Sequence, residues 1–165
     1  IMLIVALILL STQGPRHVHH DSLVITSPYG ERVGPISGKV GFHYGVDLVA
    51  KFPNGEFKPV YPVWSGQVIF AGWQDDRIPA DFTPGEQYRK HGGVGLGQYV
   101  KVQLPSGMVA TYAHLSQISV IVGDYVDLNT QIGIAGQTGL TTGPHLHLEL
   151  HNAQGDAVNP MSYLR

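Results

Sequence analysis

The sequence predicts an all-β fold. Its 165 residues include 21 glycines and 11 prolines, which indicates frequent turns. Between the turns lie short runs of β-branched and aromatic residues, and several runs alternate apolar with polar side chains. Hydrophobic residues make up 43% of the chain and charged residues 13%, a balance that favours one packed domain over a disordered chain.

The amino-terminal part predicts two regions that precede the folded domain. Residues 1–10 form an unbroken apolar run, but this run is shorter than the roughly 20 residues that span a bilayer. They match the apolar core of a secretory signal peptide or the end of a membrane anchor, and the alternative is a buried first strand. Residues 11–22 form a polar linker, and we expect the domain to occupy residues 23–165.

The first half of this domain predicts short strands separated by turns. Residues 24–26 predict a strand that a Ser-Pro-Tyr-Gly turn closes, and residues 31–41, which contain glycine and proline, predict a loop. Residues 41–50 predict the next strand, because they contain strand formers and end before an Asn-Gly turn. Two further strands are expected at 60–64 and 67–73.

The second half predicts a hairpin and several short strands. Residues 98–104 and 108–114 alternate around a Pro-Ser-Gly turn, as in an antiparallel hairpin. In the final predicted strand, residues 145–151, three leucines alternate with three histidines and a glutamate. Short strands are also expected at 120–122, 125–128 and 131–135.

Residues 74–97 interrupt this even spacing. Loops longer than about 12–15 residues in a compact domain are usually functional or disordered. This charged segment is interpreted either as one wall of a substrate groove or as a surface insertion.

Two distant segments carry side chains that suit a divalent transition metal. In an extended segment His43 and Asp47 lie on one face, because side chains alternate with period two. About 100 residues later, His145 and His147 share the polar face of the last predicted strand. Two imidazole sites and a carboxylate leave a fourth position for water, which distinguishes a catalytic zinc site from a structural one. We therefore expect a zinc hydrolase.

The residues alone leave several points open. His145 and His147 could both bind the ion, or one could bind while the other faces the substrate. His151 is expected to lie too far toward the end of the strand, and a merely solvated strand face is the alternative to a metal site. The linker also contains three histidines that are either solvated or able to reach and block the open metal position: His17, His19 and His20.

Charge and cysteine content exclude several classes of function. The net charge of −2, without a basic patch, gives no electrostatic basis for binding nucleic acid or an anionic membrane surface. The absence of cysteine excludes disulfides and thiolate zinc sites. A cysteine-free chain also fits an envelope or secreted protein that does without disulfides.

Residues 24–164 resemble the lysostaphin-type peptidoglycan metalloendopeptidases. Each matching motif is short, but the ordered set is specific. The motifs are ITSPYG at 25–30, HYGVD at 43–47, YAHLS at 112–116, GIAGQTG at 133–139, TGPHLHLE at 142–149 and NP at 159–160.

This resemblance implies roles for five residues. His43, Asp47 and His147 match the Zn²⁺ ligands, whereas His114 and His145 match two catalytic histidines that do not bind the metal. The implied fold is an open antiparallel β-sheet groove, similar to a split barrel, with the metal on its floor. The implied substrate is a peptide stem or cross-bridge of bacterial peptidoglycan, cleaved by a secreted or cell-envelope protein or by a phage particle.

Two departures from the family pattern affect what can be inferred about the groove wall, the bond preference and the oxyanion donor. The segment 74–97 is longer than the family's usual link between the corresponding strands, and residues 31–42 lack a tyrosine that some members use as an oxyanion donor. Tyr44 and Tyr112 are the possible substitutes.

The competing functions are an inactive envelope regulator or peptidoglycan-binding module, and a zinc hydrolase of free peptides. The five filled positions favour the enzyme.

Overall fold

The computed structural model describes residues 23–34, 38–74 and 95–164. Within these ranges the all-β prediction is confirmed, because the only helical element there is a single 3-10 turn at Pro160–Ser162. The strands are β1 (Ile25–Ser27), β2 (Gly30–Val33), β3 (Val40–His43), β4 (Gly45–Val49), β5 (Pro59–Val60), β6 (Gly66–Trp73), β7 (Gln98–Gln103), β8 (Val109–Leu115), β9 (Gln117–Ile118), β10 (Tyr125–Val126), β11 (Gly133–Ile134), β12 (His145–His151) and β13 (Ala157–Val158).

One open antiparallel sheet dominates the described residues. Its strand order is β1-β4-β12-β8-β7-β6-β10, and β13 pairs with the end of β12. A smaller sheet has the order β5-β11-β9, and β2 pairs with β3 in a separate hairpin. The strands β4 and β12 are therefore neighbours although about 100 residues separate them in the chain.

The central strands bury one face of the main sheet completely. Val46 in β4, Leu148 in β12 and Tyr112 in β8 all belong to one hydrophobic core, and each is at most 1% exposed. Since strand side chains alternate, the residues between them point to the opposite face. That face carries the polar side chains of β4 and β12 and forms the floor of a groove.

Two predictions about the first half are wrong. The segment expected to be a loop, residues 31–41, is largely the hairpin of β2 and β3. Gly34 and Gly38 lie between the two strands, where Gly38 N–H donates to the Gly34 carbonyl at 2.8 Å, whereas Gly41 lies within β3. The single strand expected over residues 41–50 is divided at Tyr44 into β3 and β4, which belong to different sheets.

Further strands are shorter than predicted or absent. In the expected strand 60–64, only Val60 lies in a strand. Residues 120–122 are not in a strand; residues 121–124 instead form a turn, in which the Asp124 carboxylate accepts a hydrogen bond from Ile121 N–H at 3.0 Å and Gly123 adopts a φ of 99°. The apolar side chains at 121 and 122 are therefore exposed rather than part of a strand.

Several expectations lie outside the described residues. They are the apolar segment 1–10, the linker 11–22 with its three histidines, and most of the segment 74–97. Among the described residues, no helix is long and apolar enough to cross a membrane.

Candidate metal centre and groove

The pairing of β4 with β12 brings three of the predicted site residues together. Asp47 and His147 are direct cross-strand partners, and His43 is the last residue of β3. Asp47 Oδ1 lies 2.9 Å from His147 Nδ1 and 3.2 Å from His43 Nε2, and the two ring nitrogens are 3.1 Å apart. All three side chains are buried. The structure therefore joins the residues that the sequence placed about 100 positions apart.

The hydrogen bonds behind the two rings determine which nitrogens face each other. His43 Nδ1 donates to the Pro28 carbonyl at 2.7 Å, so its Nε2 presents a lone pair. When the His147 ring is neutral and its Nε2–H donates to the Glu149 carboxylate at 3.0 Å, the lone pair lies on Nδ1. His43 Nε2, His147 Nδ1 and Asp47 Oδ1 are then three acceptors directed at one point. Only a proton or a cation can lie between them.

The spacing of these acceptors fits a tetrahedral metal ion. With bonds of about 2.0–2.1 Å, the ligand atoms of tetrahedral zinc lie about 3.3 Å from one another. The three observed separations run from 2.9 to 3.2 Å. Two imidazoles and one carboxylate also match the donor types of catalytic zinc sites. The described residues thus contain a group of side chains that could hold a metal ion at this position.

Asp47 is held as a carboxylate from two sides. Burial alone would raise its pKa, but the close approach of the His147 and His43 rings lowers the pKa well below its usual range. Arg32 in β2 contacts the second oxygen, with Nη1 3.1 Å from Oδ2. This contact leaves Oδ1 directed at the two imidazoles. Sequence reasoning missed Arg32, because nothing in the pattern of residues 31–41 indicated a strand beside the site.

His145 lies at the edge of this cluster. Its Nδ1 donates to the Gly143 carbonyl at 2.9 Å, and its Nε2 lies 3.4 Å from Asp47 Oδ1. Burial lowers the pKa of His145, which favours the neutral ring. Of the two histidines in the H-x-H pair, His147 makes the closer contact with Asp47, and His145 faces the groove beside it.

A β-bulge directs His114 into the groove. In a regular strand, Tyr112 and His114 would share the core face and Leu115 would point to the groove. The register between β7 and β8 shifts at this point, and His114 has a φ of 62°. Such a bulge reverses the alternation after the extra residue. Leu115 is consequently buried in the core with Tyr112, and His114 stacks edge-on against His145 with ring centroids 4.6 Å apart.

Thr138 holds both the bulge and the His114 ring. Its carbonyl accepts from His114 Nδ1 at 2.7 Å, and its hydroxyl donates to the Leu115 carbonyl at 2.7 Å. The same hydroxyl accepts from Gln98 N–H at 3.0 Å. Burial, together with the neighbouring His145 and His147, lowers the pKa of His114 to about 4. The ring is therefore neutral near pH 7. Because Nδ1 makes the hydrogen bond to the Thr138 carbonyl, the lone pair lies on Nε2.

One of the two tyrosines suggested as an oxyanion donor does not reach the groove. Tyr112 is buried in the core on the other face of the sheet, where its hydroxyl accepts a hydrogen bond from Val63 N–H at 3.0 Å. That suggestion is therefore wrong, because Tyr112 alternates with the groove-facing residues of β8. Tyr44 does line the groove.

The groove above the cluster is open and about 830 Å³ in volume. The hairpin of β2 and β3 forms one wall with Val33 and Phe42, whose side chains are exposed. The loop 140–144 also lines the groove and contributes Leu140. The open space over the cluster is therefore bordered by several apolar side chains.

Sequence reasoning also missed a role for Glu149. It was seen only as a polar residue of the last strand, yet its two oxygens contact His147 Nε2 and His151 Nε2, each at 3.0 Å. Burial raises the pKa of Glu149, but hydrogen bonds from the two histidines lower it to about 2. The period-two spacing of these three residues was the available signal.

Gly45 makes room for the His147 ring. A Cβ at this position would lie 2.6 Å from the Leu148 carbonyl oxygen and 2.7 Å from His147 Cε1. We expect Gly45→Ala to displace the ring or separate β4 from β12, with a loss of about 1–3 kcal/mol in unfolding free energy and at least about tenfold in metal affinity. Urea denaturation and zinc titration measure both effects.

Gly41→Ala provides the matched control for this substitution. Gly41 lies in β3, and a Cβ there would have no atom within 4 Å. Its stability and metal affinity should stay close to those of the unmodified protein. Equal behaviour of the two variants would contradict the steric argument.

The metal-free protein should lose stability as the pH rises from about 6.5 to about 9. Burial opposes protonation of His147, but hydrogen bonds to Asp47 and Glu149 raise its pKa from 6.5 to about 9. In this window the native state binds the proton and the unfolded chain does not, so the unfolding free energy falls with pH. We expect a change on the order of 3 kcal/mol. Urea denaturation of zinc-free protein across this range would test it, and a rising or flat profile would contradict it.

This chain is similar in sequence and fold to several known peptidases. The catalytic domain of lysostaphin from Staphylococcus simulans has a TM-score of 0.66 and 30% identity, covering 87% of this chain and 93% of that domain. A zinc-containing peptidase from Vibrio cholerae has a TM-score of 0.63 and 28% identity, covering 87% of this chain and 37% of that one. The peptidoglycan DD-endopeptidase ShyA of Vibrio cholerae is 34% identical over 130 residues, or 79% of this chain and 25% of that protein.

The matches extend over most of this chain. This chain spans about a quarter of the length of the curated relatives it matches. A family model, described as peptidase family M23, matches residues 41–160, a range that includes all five predicted site residues. With the motifs, the fold and the clustered side chains in agreement, the chain belongs to peptidase family M23.

Proposed function

We propose that this chain is a zinc-dependent endopeptidase that hydrolyses peptide bonds in the stem or cross-bridge of bacterial peptidoglycan. The observation that carries the proposal is the convergence of three acceptors, from His43, Asp47 and His147, within 3.2 Å on the floor of an open groove. His114 and His145 face the same space. The zinc in the Vibrio peptidase and the substrate named for ShyA support the choice of metal and polymer.

The proposed chemistry divides between the metal and two neutral imidazoles. When bound, zinc supplies a Lewis acid that polarises a carbonyl and lowers the pKa of water. His114 and His145 each donate Nδ1–H to a backbone carbonyl, which orients Nε2 as the atom that can take a proton. A ring that has accepted a proton can then donate it to the leaving amine or to a developing oxyanion.

The shape of the groove supports a peptide substrate. It is open at the surface, and its walls at Phe42 and Leu140 leave a passage over the three acceptors. An extended peptide with small side chains can approach the floor closely in such a passage. Because peptidoglycan lies outside the cytoplasmic membrane, the proposal includes a secreted or cell-envelope location.

Digestion of purified cell walls tests this proposal. The full chain, loaded with one equivalent of zinc, would be incubated with walls that contain glycine bridges and with walls that contain direct cross-links. Mass spectrometry of the fragments should show new amino termini at one defined peptide bond. A chelator should abolish the cleavage, and added zinc should restore it.

Two other outcomes would assign the chain to a different class. Zinc binding without cleavage of walls or of free stem peptides would indicate a regulator or a binding module. Cleavage of free peptides but not of walls would indicate a hydrolase with another substrate.

A further inference from the structure

A buried carboxylate lies directly behind the candidate metal centre. Glu149 is only 1% exposed, and it does not belong to either group of potential metal ligands found among the described residues. Burying a charged carboxylate is costly unless it is paired and hydrogen-bonded. Both of its oxygens are used, one by His147 Nε2 and the other by His151 Nε2, each at 3.0 Å.

The contact with Glu149 determines how the His147 ring can bind a metal. The two candidate ligand rings present different nitrogens, since His43 uses Nε2 and His147 uses Nδ1. A neutral imidazole has one N–H and one lone pair, and the hydrogen-bond partner of the N–H decides which is which. For His147 that partner is a carboxylate, an acceptor only. Asp47 Oδ1, which is also an acceptor, lies 2.9 Å from Nδ1. A neutral ring whose Nδ1 lone pair binds a metal ion must therefore carry its hydrogen on Nε2, where Glu149 accepts it.

His151 holds the carboxylate in this position. The ring is buried, and its Nε2 donates to Glu149 Oε2. Its Nδ1 lies 3.1 Å from the Gly155 carbonyl, in the turn that joins β12 to β13. The spacing of two residues places the chain His147, Glu149 and His151 along one face of a single strand. We call these three residues the relay. It begins at the candidate metal ligand His147 and ends at His151, beside this turn.

The neighbouring strands leave space for this relay. Gly45 is the cross-strand partner of Glu149 in β4, and its missing side chain leaves room for the His147 ring. Thr111 is the partner on the other side, in β8. Its buried hydroxyl has no hydrogen-bond partner among the described residues, so Thr111 does not compete for the carboxylate. Among the described residues, the two side chains that hydrogen-bond the Glu149 carboxylate both belong to its own strand.

We propose that Glu149, held by His151, is a positioning residue that keeps the hydrogen of His147 on Nε2 and its Nδ1 lone pair directed at the metal position. This inference rests on the proposed function, because it assigns His147 as a metal ligand. It predicts that zinc affinity depends on two residues that do not touch the ion.

Zinc affinity of the full chain, measured by competition with a chromophoric chelator, tests the assignment. Glu149→Leu should weaken zinc binding by about 100-fold, and Glu149→Gln, which keeps a carbonyl acceptor, by about tenfold. His151→Leu should also weaken binding, whereas His151→Gln can still donate to the carboxylate and should restore most of the affinity. Thr111→Val, a buried substitution next to Glu149, is the control and should change the affinity less than about twofold.

A second measurement separates positioning from simple stability. In the zinc-loaded protein labelled with ¹⁵N, the His147 Nε2–H should give a slowly exchanging signal, which Glu149→Leu should remove. Thermal unfolding of the zinc-free variants identifies any that fail to fold, in which case Glu149→Gln and His151→Leu carry the test. Unchanged zinc affinity in folded Glu149 variants would overturn the proposal.

The two proposals can fail separately. If the unmodified protein binds zinc and the variants weaken it, but walls remain uncut, the positioning role stands and the endopeptidase proposal fails. If walls are cut and the variants bind zinc normally, the positioning role fails alone. Unmodified protein that binds no zinc would overturn both.

Discussion

Replacing His43 by alanine is expected to abolish stoichiometric zinc binding and to reduce peptide-bond cleavage by at least about a thousandfold. The substitution removes one of three acceptors that lie within 3.2 Å of each other and leaves only Asp47 and His147. Two protein ligands do not match the three-ligand arrangement of catalytic zinc sites. Metal content after dialysis and fragment release from cell walls measure the two effects.

A simple loss of fold must be distinguished from a loss of metal. His43 is buried and its Nδ1 donates to the Pro28 carbonyl, so the alanine variant also loses a hydrogen bond. His43→Gln is therefore the companion variant, since its side chain fills more of the same space. Wall digestion by His43→Ala at the normal rate would exclude the metal-hydrolase interpretation.

Replacing His114 should separate catalysis from metal binding. We expect His114→Asn to bind zinc with nearly unchanged affinity but to lose about 10²–10⁴-fold in turnover, the usual contribution of general acid–base catalysis. Asparagine is preferred over alanine here because the position has a φ of 62°, a left-handed conformation that asparagine tolerates. Steady-state cleavage of a synthetic stem peptide, together with zinc titration, gives both quantities.

The outcome for His114 also tests its neutrality. Because burial and the neighbouring histidines lower its pKa to about 4, the ring can accept a proton throughout the neutral range. Full turnover in a folded, zinc-loaded His114→Asn variant would show that the assignment of this residue is wrong. A parallel loss of zinc affinity would show that His114 contributes to the metal site instead.

The sequence was most informative where the strands are regular. Alternation in residues 145–151 predicted the faces of β12 correctly, because the apolar leucines belong to one continuous core. The hairpin of β2 and β3 was missed, since Val33 and Val40 are exposed and give no apolar face to detect. Arg32, which reaches Asp47 from that hairpin, was missed for the same reason.

His114 marks the limit of pattern reasoning in this fold. Period-two alternation places it in the core with Tyr112, and only a register shift against β7 places it in the groove. That shift depends on Thr138, which follows in the chain by 24 residues and bonds both the ring and the strand. Such long-range contacts are not encoded in a local pattern, so only the ordered family motifs identified the residue.

Transfer of this site to a designed sheet would have to include an irregular ladder. A scaffold with ideal pairing shows only every second side chain to each surface, so copying five side chains onto it would send the imidazole of residue 114 into the interior. The graft must therefore also contain the register shift between Gln98 and Val100 and a partner for Nδ1 equivalent to Thr138. The irregular pairing of β7 with β8 is therefore as necessary to the site as the side chains themselves.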